Sequence, residues 1–252
     1  MSLPTVALHW PGLPAGVRAL STTRLGGVSR PPYDDGTGGG GLNLGTHVGD
    51  DPAAVAQNRA LLRAQLPAEP AWLTQVHGTR VLDAAQVAGA PEADASISDR
   101  RGVVCAIMTA DCMPVLLADA EGRVVGAAHA GWRGLAAGVL ESTVEAMRAA
   151  GAGQLLAWLG PGIGPAAFEV GSDVRDAFTH LGPQAPAAFR RIDGASGKYH
   201  ADLPALARLA LSRVGVTDMA GGSDCTVSDP ARFYSYRRDR VTGRMASLIW
   251  IS

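Results

Sequence analysis

A chain of 252 residues, 47% of them hydrophobic, is long enough to build a sizeable core. Its formal net charge of −1 gives no electrostatic basis for a nucleic-acid or acidic-membrane partner. Asp111 and Arg123 interrupt the longest apolar runs, and the N-terminus lacks the basic and apolar regions of a secretory signal. One domain spanning residues 1–252 and a cytoplasmic setting are expected. Cys105, Cys112 and Cys225 form an odd set with no paired spacing, which predicts reduced thiols or a metal ligand rather than disulfides.

In chain order, the Gly-rich segment 27–45 predicts an irregular loop whose tip is the run Gly38 to Gly41. At 50–66 an Asp cap and Pro52 open a helix. "AWLTQVHG" (71–78) and "TRVLDA" (79–84) read as short strands, and "GVVCAIMT" (102–109) as a buried one. Residues 114–130 read as two strands around a polar turn. "LAAGVLESTVEAMRAAG" (135–151) has the spacing of one amphipathic helix ending at Gly151. A strand at 154–164 leaves into a Gly/Pro-rich loop, helices follow at 172–182 and 201–215, and a strand closes the chain at 244–252. Strands and helices mix without a regular βαβ repeat. This predicts an α/β fold, α+β in character, with mixed sheets packed together and flanked by helices.

The hairpin has a consequence for chemistry. A turn centred on Glu121 and Gly122 places Cys112 opposite Gly131 and His129 opposite Pro114. Cys112 and His129 then share a face, one diagonal step apart, at roughly 7–8 Å between Cα atoms. A register shift of one residue separates them, and Pro114 allows the strand to begin late and leave Cys112 in a loop. His77, next to Gly78, is a third candidate. Neutral His and thiolate Cys suit zinc, and three protein ligands leave a fourth position open. The same pair also suits a nucleophilic Cys112 with His129 as base. The competing readings are a core cysteine and structural histidines. Arg133 in "AGWRG" stands near a helix start that could receive an anion, Arg24 lies in a Gly-bearing polar turn, and Asn43 in "LNLG" reads as a donor or a turn residue. "FYSYRRD" combines aromatics with Arg237 and Arg238, suited to base stacking or to the core.

Taken together, "TQVHG", "TADCMPVLLAD", "AAHAGWRG", "GPGIGPAAFEVG" and "FYSYRRDRVTGR" resemble the successive motifs of the YfiH-type laccase-domain family, also called polyphenol oxidase-like proteins. The resemblance runs from "STTRLGGVS" to the last strand. It implies a metal site at His77, Cys112 and His129, occupied by zinc in preference to copper. It also implies purine nucleoside phosphorolysis and adenosine deamination, extending to methylthioadenosine, and bacterial relatives are linked to editing of peptidoglycan precursors. By motif position, Arg24, Asn43, Arg59 and Arg133 are the candidates for binding nucleoside and phosphate. Two alternatives stand beside this: a cysteine hydrolase using Cys112 and His129, and the family's older label, a copper-dependent polyphenol oxidase. The Gly38 to Gly41 run, and Ala167 with Phe168 where many relatives have Cys and Tyr, depart from the family pattern.

Overall fold

The computed structural model describes residues 3–252. Strands β1 (Val17–Ser21) and β2 (Leu25–Ser29) precede helix α1 (Pro52–Arg63). The Asp51 carboxylate caps α1 by accepting from the Ala53 N–H, with proline in the first turn where no donor is missed. Strands β3 (Pro70–Ala71), β4 (Val81–Asp83), β5 (Ala95–Ser98) and β6 (Val104–Thr109) lead to the hairpin β7 (Met113–Asp119) and β8 (Val125–Ala130). Helices α2 (Trp132–Ala137) and α3 (Val139–Ala149), strands β9 (Leu155–Leu159) and β10 (Glu169–Gly171), and helix α4 (Ser172–Ala177) follow. The chain ends with β11 (Phe189–Arg191), β12 (Lys198–Ala201), α5 (Leu203–Arg213), β13 (Asp218–Gly221), α6 (Tyr236–Asp239) and β14 (Met245–Ile251).

Apart from β2, whose Leu25 and Ser29 bridge only to Gly41, the strands form three sheets. The largest has the order β13-β9-β7-β8-β5-β4, the second β1-β14-β6-β3, and a small third one β10-β12-β11. Parallel and antiparallel pairs occur in both larger sheets, so the expected mixed sheets are present.

Strand parity sorts the core into layers. On β7, Val115 and Leu117 face α3 and α5, packing with Leu140, Val144, Leu206 and Ala210. Their neighbours Leu116 and Ala118 face the other way, toward Cys105, Ile107 and Ile249 of the second sheet. The outer face of that sheet, through Ala106, Met108 and Leu248, is covered by Leu62 of α1 and by Leu42 and Leu44. The order is helices, six strands, four strands, helix. Because β7 is buried on both faces, its sequence from Met113 to Ala118 is continuously apolar rather than alternating.

Two local expectations give way. The single helix expected over 135–151 begins at Trp132 and breaks at Gly138, which takes a left-handed φ of 96° and both ends α2 and starts α3. Residues 71–78 do not form one strand: only Pro70–Ala71 pairs with β6, and Thr74 makes a single bridge to Glu92. His77 leaves the extended region with φ 60°, because the backbone at 76–78 turns to a buried carboxylate. Among the described residues, no helix is long and apolar enough to cross a membrane.

Candidate metal centre and its cavity

The hairpin register is the one that the turn implies. Pro114 pairs with His129 and Met113 with Ala130. The ladder starts at Met113, so Cys112 sits one residue outside it, yet it still meets Gly131. A Cβ on Gly131 would lie 2.8 Å from Cys112 Sγ and 2.9 Å from His77 Cδ2, so this position needs glycine for space. Cys112 follows Asp111, whose φ of 90° turns the chain sharply between β6 and β7. That turn is held from three sides. Asp111 accepts hydrogen bonds from Thr226 Oγ1 (2.6 Å) and from the Arg237 backbone N–H (2.6 Å), and its carbonyl accepts from Ile163 N (2.7 Å).

His77, Cys112 and His129 thereby come together from a loop, a strand junction and a strand. Their ligand atoms all lie within 4.8 Å of one another, with Cys112 Sγ 3.7 Å from His77 Nε2. Tetrahedral zinc with ordinary Zn–S and Zn–N bonds places an S···N edge at about 3.5 Å, so the donor set fits a zinc-sized ion.

The residue that organises this cluster has no local sequence signature. Asp94, fully buried just before β5, accepts four hydrogen bonds through its side chain. Oδ1 receives His129 Nδ1 (2.9 Å) and His77 N–H (2.9 Å), and Oδ2 receives Val76 N–H (3.2 Å) and Gly78 N–H (2.7 Å). One carboxylate thus shapes the His77 loop and fixes the His129 ring through Nδ1, so that Nε2 is the atom available to a metal once it gives up its proton. Burial pushes the Asp94 carboxyl up, but the bonds from His129, Gly78 and Val76 outweigh it and hold the group below its ordinary value. The cysteine and histidine reinforce each other's charge. Burial raises the Cys112 thiol, and the charges of and hydrogen bonds from His129 and His77 overcome that, lowering it to about 6. Burial lowers His129, and Cys112 and Asp94 together raise it to about 9. The thiolate that a metal requires is therefore favoured before any metal binds.

The two histidines form part of the wall of a cavity of about 660 Å³, whose lining also includes Trp72, Leu73, Met108, Tyr236, Arg59, Arg133 and Arg244. No Asp or Glu lines it. Arg59 lies over the Trp72 ring (4.3 Å) and donates to Leu44 O (2.9 Å). Arg133, exposed at the start of α2, lies over Trp132 (4.5 Å). Gln75 fixes the wall to β6 by a two-point bond with the backbone N–H and carbonyl of Met108, each 2.8 Å.

Arg24 and Asn43 are not in the lining. Arg24 is buried under Tyr234 and donates to Asp34 O and Pro230 O. Asn43 is fully buried and holds the loop that follows it, accepting from Gly45 N–H and Arg244 N–H. Each behaves as a support for the cavity, because its donors are spent on backbone carbonyls and neighbouring side chains. Arg237 and Arg238 likewise serve the scaffold: Arg237 N–H bonds Asp111, and Arg238 bonds the carbonyls of Thr226 and Phe233. Sequence reasoning passed over Arg244, which lies inside a quoted motif, and His47.

Residues 18–252 match the family described as multi-copper polyphenol oxidoreductase laccase. The chain belongs to this laccase-like family. A purine nucleoside phosphorylase of Pseudomonas aeruginosa is 54% identical over 243 residues, 96% of either chain. The purine nucleoside phosphorylase YfiH of Escherichia coli is 52% identical, covering 96% of this chain and 97% of its own. A crystal structure of a Neisseria meningitidis protein, 51% identical, superposes with a TM-score of 0.90 over 98% of this chain and 99% of its own. YlmD of Geobacillus stearothermophilus has a TM-score of 0.84 at 33% identity, over 96% of this chain and 93% of its own. The laccase-like fold thus covers nearly the whole chain. Among the described residues, however, one cluster of three metal-ligating side chains is found, whereas multicopper chemistry needs several.

Proposed function

We propose that this laccase-like protein is a zinc-dependent purine nucleoside phosphorylase that also deaminates adenosine, acting on adenosine, inosine and methylthioadenosine in the cytoplasm. The observation that carries the reading is a single cavity joining the His-Cys-His cluster to three arginines and an aromatic wall, with no carboxylate in its lining. Its size falls in the range of small-molecule sites. The relatives named as purine nucleoside phosphorylases support the same reading.

In phosphorolysis a phosphate oxygen bonds to the ribose anomeric carbon as the glycosidic C–N bond breaks. The bond's electron pair leaves on the purine, which takes up a proton, and ribose 1-phosphate and free base result. Arg59, Arg133 and Arg244 present guanidinium forks suited to phosphate oxygens. Trp72, Leu73 and Met108 offer apolar surface to a purine ring. Deamination replaces the exocyclic amine by a water oxygen and releases ammonia. His77, Cys112 and His129 would hold zinc, which supplies Lewis acidity at the cavity wall. Asp94 keeps His129 aimed and the His77 loop closed. Incubating zinc-loaded protein with adenosine, with and without phosphate, tests the proposal. Adenine with ribose 1-phosphate reports cleavage, and inosine reports deamination. No turnover of adenosine, inosine or methylthioadenosine overturns it.

The lowered Cys112 thiol beside His129 favours a cysteine hydrolase as second reading. Its weakness is placement, since Cys112 is not among the residues that line the cavity.

A further inference from the structure

Three features of the cavity fall at one place. The loop after Asn43 runs between two arginines: Leu44 O accepts from Arg59 Nε (2.9 Å), and Leu44 N–H donates to Arg244 O (3.1 Å). Asn43 Oδ1 accepts from Gly45 N–H (2.9 Å) and from Arg244 N–H (2.8 Å), closing the loop onto the second arginine. The approach is so close that a Cβ on Gly45 would lie 2.8 Å from Arg244 Cγ. His47, three residues after Leu44, reaches the same cavity and feels the charges of both Arg244 and Arg59.

These cations are half-buried and have no carboxylate partner. Among the described residues no ion pair involves Arg59 or Arg244. The acid nearest in influence to Arg59 is Glu69, already engaged with the Trp72 indole (2.8 Å) and Arg63 (3.9 Å). The charges that favour Arg244 are those of Cys112 first and Asp111 second; Asp111 is occupied by Thr226 and the Arg237 backbone, and no carboxylate pairs with the guanidinium. Burial disfavours both guanidinium charges. Side-chain bonds from Arg59 to a carbonyl and a thioether, and from Arg244 to the carbonyls of Thr242 and Gly243, hold them in place without neutralising them. Partly buried cations held rigid and unpaired around a loop are a cost to the fold unless an anion completes them.

We propose that His47, Arg59 and Arg244 form the phosphate subsite of the cavity, built by the Asn43–His47 loop and separate from the metal cluster. The proposal rests on the phosphorylase reading for the identity of the anion as free phosphate. None of the three is a metal ligand, so the subsite takes phosphate with or without metal. Arg133, exposed at the start of α2, lines the same cavity but is not part of this loop-built subsite.

Calorimetric titration of the full chain with inorganic phosphate, at constant ionic strength and with chloride as control, tests this. Wild-type protein should bind phosphate, and removing metal with a chelator should change the affinity by less than threefold. Arg59→Met and Arg244→Met should each weaken binding at least tenfold, while Arg175→Met, a surface arginine paired with Asp176, should not. If the methionine variants fail to fold, Arg59→Lys and Arg244→Lys keep the charge and should still lose at least threefold, because the fork geometry is gone. Phosphate binding unchanged in all four variants, or abolished by the chelator, overturns the subsite. Adenosine monophosphate is the second arm. If it binds through these arginines and inorganic phosphate does not, the assignment to free phosphate is overturned. Phosphate bound through the arginines without any nucleoside cleavage would retain the subsite and sink the phosphorylase reading. Cleavage with arginine-independent phosphate binding would do the reverse.

Discussion

Replacing Asp94 by Asn changes one atom and sets two roles against each other. Oδ1 serves His129 and His77, and Oδ2 serves Val76 and Gly78. An amide has one acceptor and one donor group. With its NH₂ at the Oδ1 position it faces the His77 N–H and forces His129 to accept at Nδ1, which moves the ring proton to Nε2 and blocks that atom for a metal. With its NH₂ at the Oδ2 position it faces two backbone N–H groups that lose their partner. Each buried donor left unmade costs about 1–3 kcal/mol. For a chain of this size 1 kcal/mol shifts the midpoint by about 2–4 °C, so metal-free Asp94→Asn should melt at least about 2 °C lower. Loss of a ligand's outer partner weakens metal binding about 10–100-fold. The assay is zinc competition against a chromophoric chelator, with thermal unfolding of metal-free and loaded protein in parallel. Asp119→Asn is the control. Asp119 is as buried as Asp94, but its carboxylate serves Arg123 and Gly153, remote from the cluster, so stability alone should fall. Wild-type zinc affinity and wild-type melting temperature together in Asp94→Asn would refute the reasoning.

Acid should erase the difference between the two proteins. The folded Asp94 carboxyl is held below its ordinary value, so its contribution is present above about pH 4 and fades as pH falls through the folded value; pH-dependent unfolding of wild type against Asp94→Asn measures this. Gly131→Ala forces a methyl to within 3 Å of Cys112 Sγ and His77 Cδ2, and should lower zinc content with a smaller effect on secondary structure, read by metal analysis and circular dichroism. Cys112 and Cys105 should separate in iodoacetamide labelling at pH 7–8, followed by peptide mass analysis. Cys112 should label in metal-free protein and be protected by zinc, whereas Cys105, fully buried and raised to about 12 by that burial, should stay unlabelled in either state. Leu117→Ala empties a fully buried position between sheet and helices and should cost about 2–5 kcal/mol, visible as a lower denaturant midpoint.

What could be read beforehand follows physical range. The hairpin was legible because a two-residue turn fixes every later pairing by parity, and Pro114 opposite His129 is a consequence of counting. Cys112 beside His129 came from the same count, even though the ladder starts one residue later. His77 was reachable only through its motif, since no local period links a loop at 77 to a hairpin at 112–129. Asp94 carries no sequence signal at all. It reaches His129 because β5 pairs with β8, Ala95 against Ala128, and that pairing is decided by tertiary packing. The helix break at Gly138 was hidden because a glycine inside an amphipathic pattern costs only about 1 kcal/mol and so cannot be read as a stop. Arg24 and Asn43 show a second duty that sequence does not display: polar residues in Gly-rich loops look free to meet a ligand, whereas burial of the loop commits them to its carbonyls and N–H groups.

That last point bears on how such a site is altered. Each ligand of the cluster comes from a different stretch of chain, and each is held by a group that is not a ligand: Asp94 for both histidines, Asp111 for the turn into Cys112. The arginines of the proposed phosphate subsite repeat the pattern: Asn43 holds the Arg244 backbone, and the carbonyl of the next residue, Leu44, takes Arg59. Substitutions at the holders therefore test position, and substitutions at the ligands test chemistry. Asn43→Ala leaves Arg59 and Arg244 in the sequence but removes the acceptor for the Arg244 N–H and the Gly45 N–H. It should weaken inorganic phosphate while leaving the zinc affinity of His77, Cys112 and His129 within threefold of wild type, because no hydrogen bond of Asn43 reaches that cluster. Equal losses at both sites would mean that loop and cluster form one cooperative unit, and the separation of the two subsites would fall.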